Sequence, residues 1–252
     1  MSSITISCIV FGMVIGGVLL GMVLRARLPE DHFSQDSKEV VKLGMGLIGT
    51  VAAMVLGLLV ASAKSSFDAQ RNGLSQLSAN VSLLDRILAH YGPESKQCRE
   101  QLRDNLAALL DQLWPESRDH AVQMEPTADS ESLYERIQGL TPNTDAQRSL
   151  QAAALKTAVD VAQSRWLLSA QKGSSIPVPF LVVLVFWLAL LFTSFSMFAR
   201  PNATVIVALL LCALSVAGAI FLILELDRPF DGLIQLSSDP LRRALAQLGR
   251  TN

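Results

Sequence analysis

Charge is scarce in this chain. Of its 252 residues only 17% are Asp, Glu, Lys or Arg, against 50% hydrophobic, and the mean hydropathy is +0.38. An average soluble domain carries about 25% charged residues, so the composition excludes an ordinary soluble protein of this size. The net charge is −1, which leaves no basic footprint and argues against a nucleic-acid partner. Histidine and cysteine are equally sparse. His32, His90 and His120 are scattered, with no HExxH spacing, and Cys8, Cys98 and Cys212 show neither metal-ligand spacing nor a disulfide framework. No nucleophile–base arrangement is visible, so an enzyme is not expected, and nothing supports a haem, flavin or other cofactor.

What the chain has in abundance is long apolar runs. A bilayer core of about 30 Å needs about 20 such residues as helix. Four runs qualify: Ile4–Leu24, Leu43–Ala63, Ile176–Ala199 and Ala203–Leu224. None contains Asp, Glu, Lys, Arg or His. The first lacks a basic n-region and is too long for a signal-peptide core, so it reads as a retained helix. The "ARPNA" joint between spans three and four fits only a tight helical hairpin, with Pro201 at the start of the new helix. Four crossings put both termini and the block between spans two and three on one side of the bilayer. Lys and Arg near the short loops are balanced and leave the side open.

The intervening block reads as helix throughout. From Phe67 to Tyr91 apolar residues fall at 67, 74, 77, 81, 84, 88 and 91, a heptad seam. No proline separates this stretch from span two, so one very long helix is expected, weakened at Gly73 and ended by Gly92-Pro93. A second helix covers Pro93 to Trp114, with a stripe of Cys98, Leu102, Leu106, Leu109 and Leu113, and Pro115 stops it. A short helix over Ser132–Gly139 has capping-box spacing in Ser132 and Glu135. Thr141-Pro142 then opens a long helix that ends at Gly173. The fold class expected is an all-α membrane protein. Its parts are 1–64 (spans one and two), 65–175 (helical soluble region), 176–224 (hairpin of spans three and four) and 225–252 (charged exit motif and amphipathic helix).

Small residues are patterned. Span one holds Gly12-x-x-x-Gly16 and Gly17-x-x-x-Gly21, and span two a ladder of Gly49, Ala53, Gly57 and Ala61. In lipid such rows let helix backbones approach closely. They can serve packing within one subunit, or turn span two toward neighbouring subunits or a narrow pore. Lys64 and Arg71 follow on the same helix; in a symmetric oligomer they would form cationic rings that attract anions, and otherwise they are solvated, snorkelling side chains.

The fourth span ends in "FLILELDRPFDG", where Glu225, Asp227, Arg228 and Asp231 crowd into seven positions. Arg228 precedes Pro229 and is pushed out of α geometry, so the helix should end there. The cluster either fixes the angle at which the tail leaves the bilayer or forms a mouth or cation site. Ca²⁺ wants six to eight oxygens, more than three carboxylates of one chain supply. Asp239-Pro240 opens a last amphipathic helix over Leu241–Leu248, with Asp239 as its N-cap.

"VLGLLVASAKSSFD" (Val55–Asp68), "LDRILAHYGPE" (Leu84–Glu94) and "FLILELDRPFDGLIQLSSDPLRRAL" (Phe221–Leu245) resemble the uncharacterised bacterial membrane proteins described as bestrophin-like. The resemblance implies a pentameric anion channel of the bacterial inner membrane, with four spans per subunit, a cytoplasmic helical region and cytoplasmic termini. It implies a pore lined by span two, with Thr50, Val51, Ala53, Met54, Gly57, Leu58, Ala61, Lys64, Phe67 and Arg71 as lining candidates. Partners would be the lipid bilayer, further copies of the chain and inorganic anions. Bestrophins carry aromatic residues at the span-two neck, whereas this span has none before Phe67. A gate here would use Val51, Met54, Val55, Leu58 or Phe67 and close by dewetting. The competing reading is a non-conducting scaffold or sensor that binds a partner through its helical region, along the Phe67–Tyr91 seam. A secondary transporter is disfavoured, because no span carries an ionisable residue or a break at mid-membrane.

Overall fold

In the computed structural model the described residues are 2–28, 35–114, 126–170, 176–199, 202–230 and 232–249, with backbone alone at 35–37 and 126–130. Pro115, Gly173 and Pro201, assigned above to helix ends, and Asp231 lie outside them. Among the described residues eight α-helices follow in order: α1 (Ser3–Arg27), α2 (Gln35–Tyr91), α3 (Lys96–Leu113), α4 (Pro126–Gln138), α5 (Asp145–Ala170), α6 (Val178–Phe198), α7 (Ala203–Leu226) and α8 (Asp239–Gln247). No strand occurs among the described residues. The protein is all-α, and α1, α2, α6 and α7 are each long and apolar enough to cross a membrane.

The chain divides into two compact units, Met1–Phe67 with Ser174–Ile234, and Asp68–Gly173 with Gln235–Asn252. The first holds the apolar helices. Its core is built from Val10, Val14 and Val18 of α1, Ala52, Leu59 and Ala63 of α2, Leu184, Leu188 and Phe192 of α6, and Ala213, Ile220 and Ile223 of α7. Helix α1 packs along α6 and α7. Gly17 and Gly21 make this approach possible. A Cβ on Gly17 would stand 2.8 Å from the Ala189 carbonyl oxygen, and one on Gly21 would collide with that of Thr193. Ser196 Oγ donates to the Val18 carbonyl at 2.6 Å, an interhelical bond of the kind that replaces the missing hydrophobic drive in lipid. Arg25 Nη1 donates to Ala199 O at 2.7 Å, satisfying a terminal carbonyl of α6 that no helical N–H reaches. At α7 the cap is Asn202, whose Oδ1 accepts from Val205 N at 2.8 Å.

The second unit is a helical bundle. The seam expected on α2 faces its interior: Leu74, Leu77, Val81, Leu84, Leu88 and Tyr91 are buried, and Phe67 is half-buried. Leu77 and Val81 line one cavity with Leu102 and Leu106 of α3, Leu133 of α4, and Ala158 and Val161 of α5, and Ile137 of α4 is buried as well. The seam is thus covered within its own chain, and the expectation that it docks a partner is corrected. Asp85 and Arg99 tie α2 to α3 through a buried bidentate pair, with contacts of 2.7 and 3.1 Å. Gly73 is where α5 comes close; a Cβ there would lie 3.1 Å from Leu168 Cδ2. Gly92 ends α2 at φ 129°, a backbone state only glycine adopts without strain. A 3₁₀ turn over Pro93–Ser95 follows.

Several boundaries differ from the sequence reading. Helix α2 begins by Gln35, eight residues before its apolar run, because the polar segment carries no breaker. The long fifth helix starts after Thr144 rather than at Thr141-Pro142. Thr144 Oγ1 accepts from Gln147 N at 3.1 Å and Gln147 Oε1 accepts from Asn143 N at 2.8 Å, a capping box in all but one position. Ser132 lies inside α4, where its hydroxyl bonds Gln101 Nε2, so it is not a cap. The α3 stripe buries Leu110 in place of Leu109. Asp239 occupies the first turn of α8, its N–H bonded to Ser237 Oγ at 3.1 Å. That helix lies in the bundle: Trp114 Nε1 donates to Leu236 O at 3.1 Å and Ser78 Oγ to Pro240 O at 2.8 Å, while Leu236, Leu241, Ala244 and Leu248 are buried.

Candidate pore-lining helix and membrane-exit motif

Helix α2 crosses the membrane unit with little cover. Only 17% of its most apolar window is buried, against 33%, 28% and 22% in α1, α6 and α7. At 3.6 residues per turn its side chains sort into three faces. Met45, Ala52, Leu59 and Ala63 are buried among the neighbouring helices, with Val55 and Leu56 packed against the same core. A second face carries Gly46, Thr50, Ala53, Gly57 and, at its edge, Ala61, all exposed. No atom stands within 4 Å of a Cβ built on Gly46 or Gly57. The third is a stripe of bulky aliphatics: Leu47, Val51, Met54 (68% exposed) and Leu58 (62% exposed).

Of the candidate gate residues, Val51, Met54 and Leu58 therefore share one open stripe, Val55 turns inward, and Phe67 is half-buried at the end of the unit. Leu47 extends that stripe by about one turn. It was missed because an all-apolar run offers no contrast between faces, although its spacing of seven from Met54 was readable. Thr50 is not a free polar group on its face, since its hydroxyl donates to Gly46 O at 2.8 Å. Lys64 and Arg71 are exposed. They stand seven and fourteen residues beyond Gly57, hence on the small-residue side and roughly 100° around the helix from the Met54–Leu58 stripe.

On the same side of the membrane as the exit of α2, at the end of α7, Glu225 is 3% exposed. Its Oε2 accepts the backbone N–H of Leu233, a very short bond, and that of Ile234 at 3.4 Å. The chain turns between them, with Arg228 N bonded to Glu225 O and Gly232 N to Arg228 O, both at 3.1 Å. Gly232 is needed because a side chain there would strike this carboxylate and lie 3.1 Å from Arg228 O. Glu225 thus ties the exit loop to the end of α7, through charge-assisted bonds that are stronger than neutral ones. Asp227 is buried and Arg228 exposed, and each has interactions of its own. Among the described residues no three His, Cys, Asp or Glu side chains gather closely enough to hold a metal ion.

Four helices long and apolar enough to span a bilayer define the class, a multi-pass membrane protein. A family model described as Bestrophin-like domain matches residues 12–241, and the chain belongs to that family. Its fold is shared with a bacterial bestrophin homologue from Klebsiella pneumoniae phased on zinc, at 16% identity and TM-score 0.64 over 95% of this chain and 100% of the other. A point mutant of a Klebsiella pneumoniae bestrophin homologue superposes with TM-score 0.66 at 17% identity, covering 96% of this chain and 98% of the other. No curated protein matches the sequence.

Proposed function

We propose that the protein is a homo-oligomeric ion channel, a pentamer conducting inorganic anions, in which α2 lines the pore. The observation that carries this reading is the exposure of α2 on two of its three faces. A helix meant for lipid alone has no use for a glycine–alanine face, because bulky side chains fill the space beside lipid tails as well as they fill a core. Small residues are favoured where another backbone comes close. The Gly57–Ala61 side then meets a neighbouring subunit, and the Leu47, Val51, Met54 and Leu58 stripe turns to the axis. A ring of such side chains closes by excluding water. Lys64 and Arg71, beyond the constriction, raise the local concentration of anions through long side chains that can swing toward the axis. In this reading the helical bundle and both termini lie in the cytoplasm and the spans in the bacterial inner membrane. Membership of the Bestrophin-like family supports the channel class.

The test is chloride efflux from vesicles holding the purified protein. Leu58→Asn is expected to raise flux by hydrating the constriction, and Lys64→Glu to lower the preference for chloride over sodium. Oligomers that pass neither chloride nor cations, with or without Leu58→Asn, would refute the proposal.

A further inference from the structure

Beside the small-residue face of α2 runs an open groove of about 740 Å³, walled by Leu191, Ser194, Phe195 and Phe198 of α6 and floored by Gly46, Gly49, Thr50 and Ala53, with Lys42 at one end. The floor is bare backbone and methyl groups: Cβ atoms built on Gly46 and Gly49 would meet nothing nearer than Leu191 Cδ1 at 4.0 Å. Thr50 asks for no partner from the groove, since its proton is committed to Gly46 O. Apart from the Ser194 hydroxyl on its α6 wall, the groove is therefore apolar along its length, and it is cationic at its end. Lys42 is exposed and forms no ion pair with any described residue.

The dimensions identify the occupant. Lys42 and Ala53 are eleven residues apart, which is about 16 Å along a helix. That is roughly half of a 30 Å hydrocarbon core, the depth of one leaflet. Lys42 precedes Leu43, the first residue of the uncharged run, so its ammonium stands at headgroup level while Ala53 lies near the midplane. An anionic headgroup at that level supplies the counter-charge that no described residue gives Lys42.

We infer that this groove binds one anionic phospholipid of the leaflet on the α1–α2 side, with its acyl chain laid between α2 and α6 and its phosphate at Lys42. The inference is independent of conduction. It can be measured on full-length protein taken from bilayers of phosphatidylcholine and phosphatidylglycerol, by counting retained lipids with native mass spectrometry. Wild type is expected to retain phosphatidylglycerol above its share of the bilayer. One lysine near an anionic headgroup contributes about 1 kcal/mol, so Lys42→Gln is expected to reduce retention about fivefold and Lys42→Arg to restore it. Ala53→Trp, which fills the inner end, is expected to reduce retention of either lipid. No enrichment in wild type, or enrichment untouched by Lys42→Gln, would overturn the assignment. So would a Thr50→Cys variant, on a background lacking the three native cysteines, whose introduced thiol crosslinks two subunits in place of being labelled by a thiol-reactive lipid.

Discussion

Two classes of glycine in the spans should respond oppositely to the smallest possible change. A Cβ on Gly17 would stand 2.8 Å from Ala189 O and 3.0 Å from Thr193 Oγ1, whereas ordinary contact begins at 3.4 Å. Helices α1 and α6 must therefore part by about 0.6 Å (3.4 − 2.8) to admit alanine there. At Gly21 the obstruction is the Thr193 carbonyl itself, and the helices must part further. Overpacking of this kind costs about 1–3 kcal/mol. Stretching the Ser196–Val18 bond adds about 0.6 kcal/mol, the usual worth of an interhelical bond in a bilayer. Against this, alanine gains about 1 kcal/mol over glycine within a helix. The steric cost wins. Gly17→Ala should lose about 1–2 kcal/mol and Gly21→Ala more. Gly12 and Gly16 have nothing within 4 Å of a built Cβ, so alanine there keeps only the helical gain. Unfolding of single subunits in bicelles, followed by denaturant titration, measures all four. A Gly21→Ala protein as stable as wild type would refute the packing account of α1 and α6.

Other outcomes follow from the same geometry. Gly57→Leu, placed where no intrasubunit atom stands within 4 Å, should leave subunit unfolding unchanged while weakening association in native mass spectrometry. Removing one partner of the buried Asp85–Arg99 pair by Asp85→Ala strands a charge and should cost about 3–5 kcal/mol, seen as a lowered melting temperature. Burial pushes both the Cys98 thiol and the Tyr91 phenol up from their ordinary 9.0 and 10.0, with Glu94 adding to the rise at Tyr91. The unfolded chain then releases these protons before the folded one does, so stability is full below about pH 9 and falls as pH rises beyond it. Cys98→Ala should delay the onset of that loss in pH-dependent thermal melts. Trp114→Phe removes the bond to Leu236 O and should cost about 1 kcal/mol, read as faster proteolytic clipping of the tail.

The spans were legible because their signal is composition, which no tertiary contact can rewrite. The continuity of α2 was legible for a related reason: from Leu43 to Tyr91 no proline interrupts it, and beyond the span Gly73 is a weak point that α5 exploits. The seam from Leu74 to Tyr91 stood out because polar residues separate its members. Inside the bilayer that contrast disappears. Ala52 and Ala53 are chemically identical, yet one is buried and the other exposed, so the face of α2 that opens outward could not be read from residue types. The exit motif was legible as a charged stop but not as a tie. That Glu225 takes the N–H groups of Leu233 and Ile234 depends on a loop returning over eight and nine residues. The tail's docking through Trp114 and Ser78 rests on backbone carbonyls, which have no signature in sequence at all.

The small residues of α2 demand an explanation that the single chain does not contain. Within one subunit, Gly17 and Gly21 show what such residues accomplish: a backbone lies against them at contact distance. Among the described residues no backbone lies within 4 Å of a Cβ built on Gly46 or Gly57, and Ala53 and Ala61 are exposed. Lipid tails gain nothing special from a glycine face, because they pack as well against leucine. The face can be divided by its borders. From Lys42 to Ala53 it is walled by α6 and headed by a cation that pairs with no described residue, which suits a thin, flexible, negatively headed occupant. From Gly57 to Ala61 no member of that wall flanks it, and a second backbone is the occupant that small residues favour. The two assignments separate cleanly. Lys42→Gln should empty the groove and leave subunit number unchanged, and Gly57→Leu should do the reverse. If either substitution produced both effects, the face would be one continuous interface and its division would be wrong.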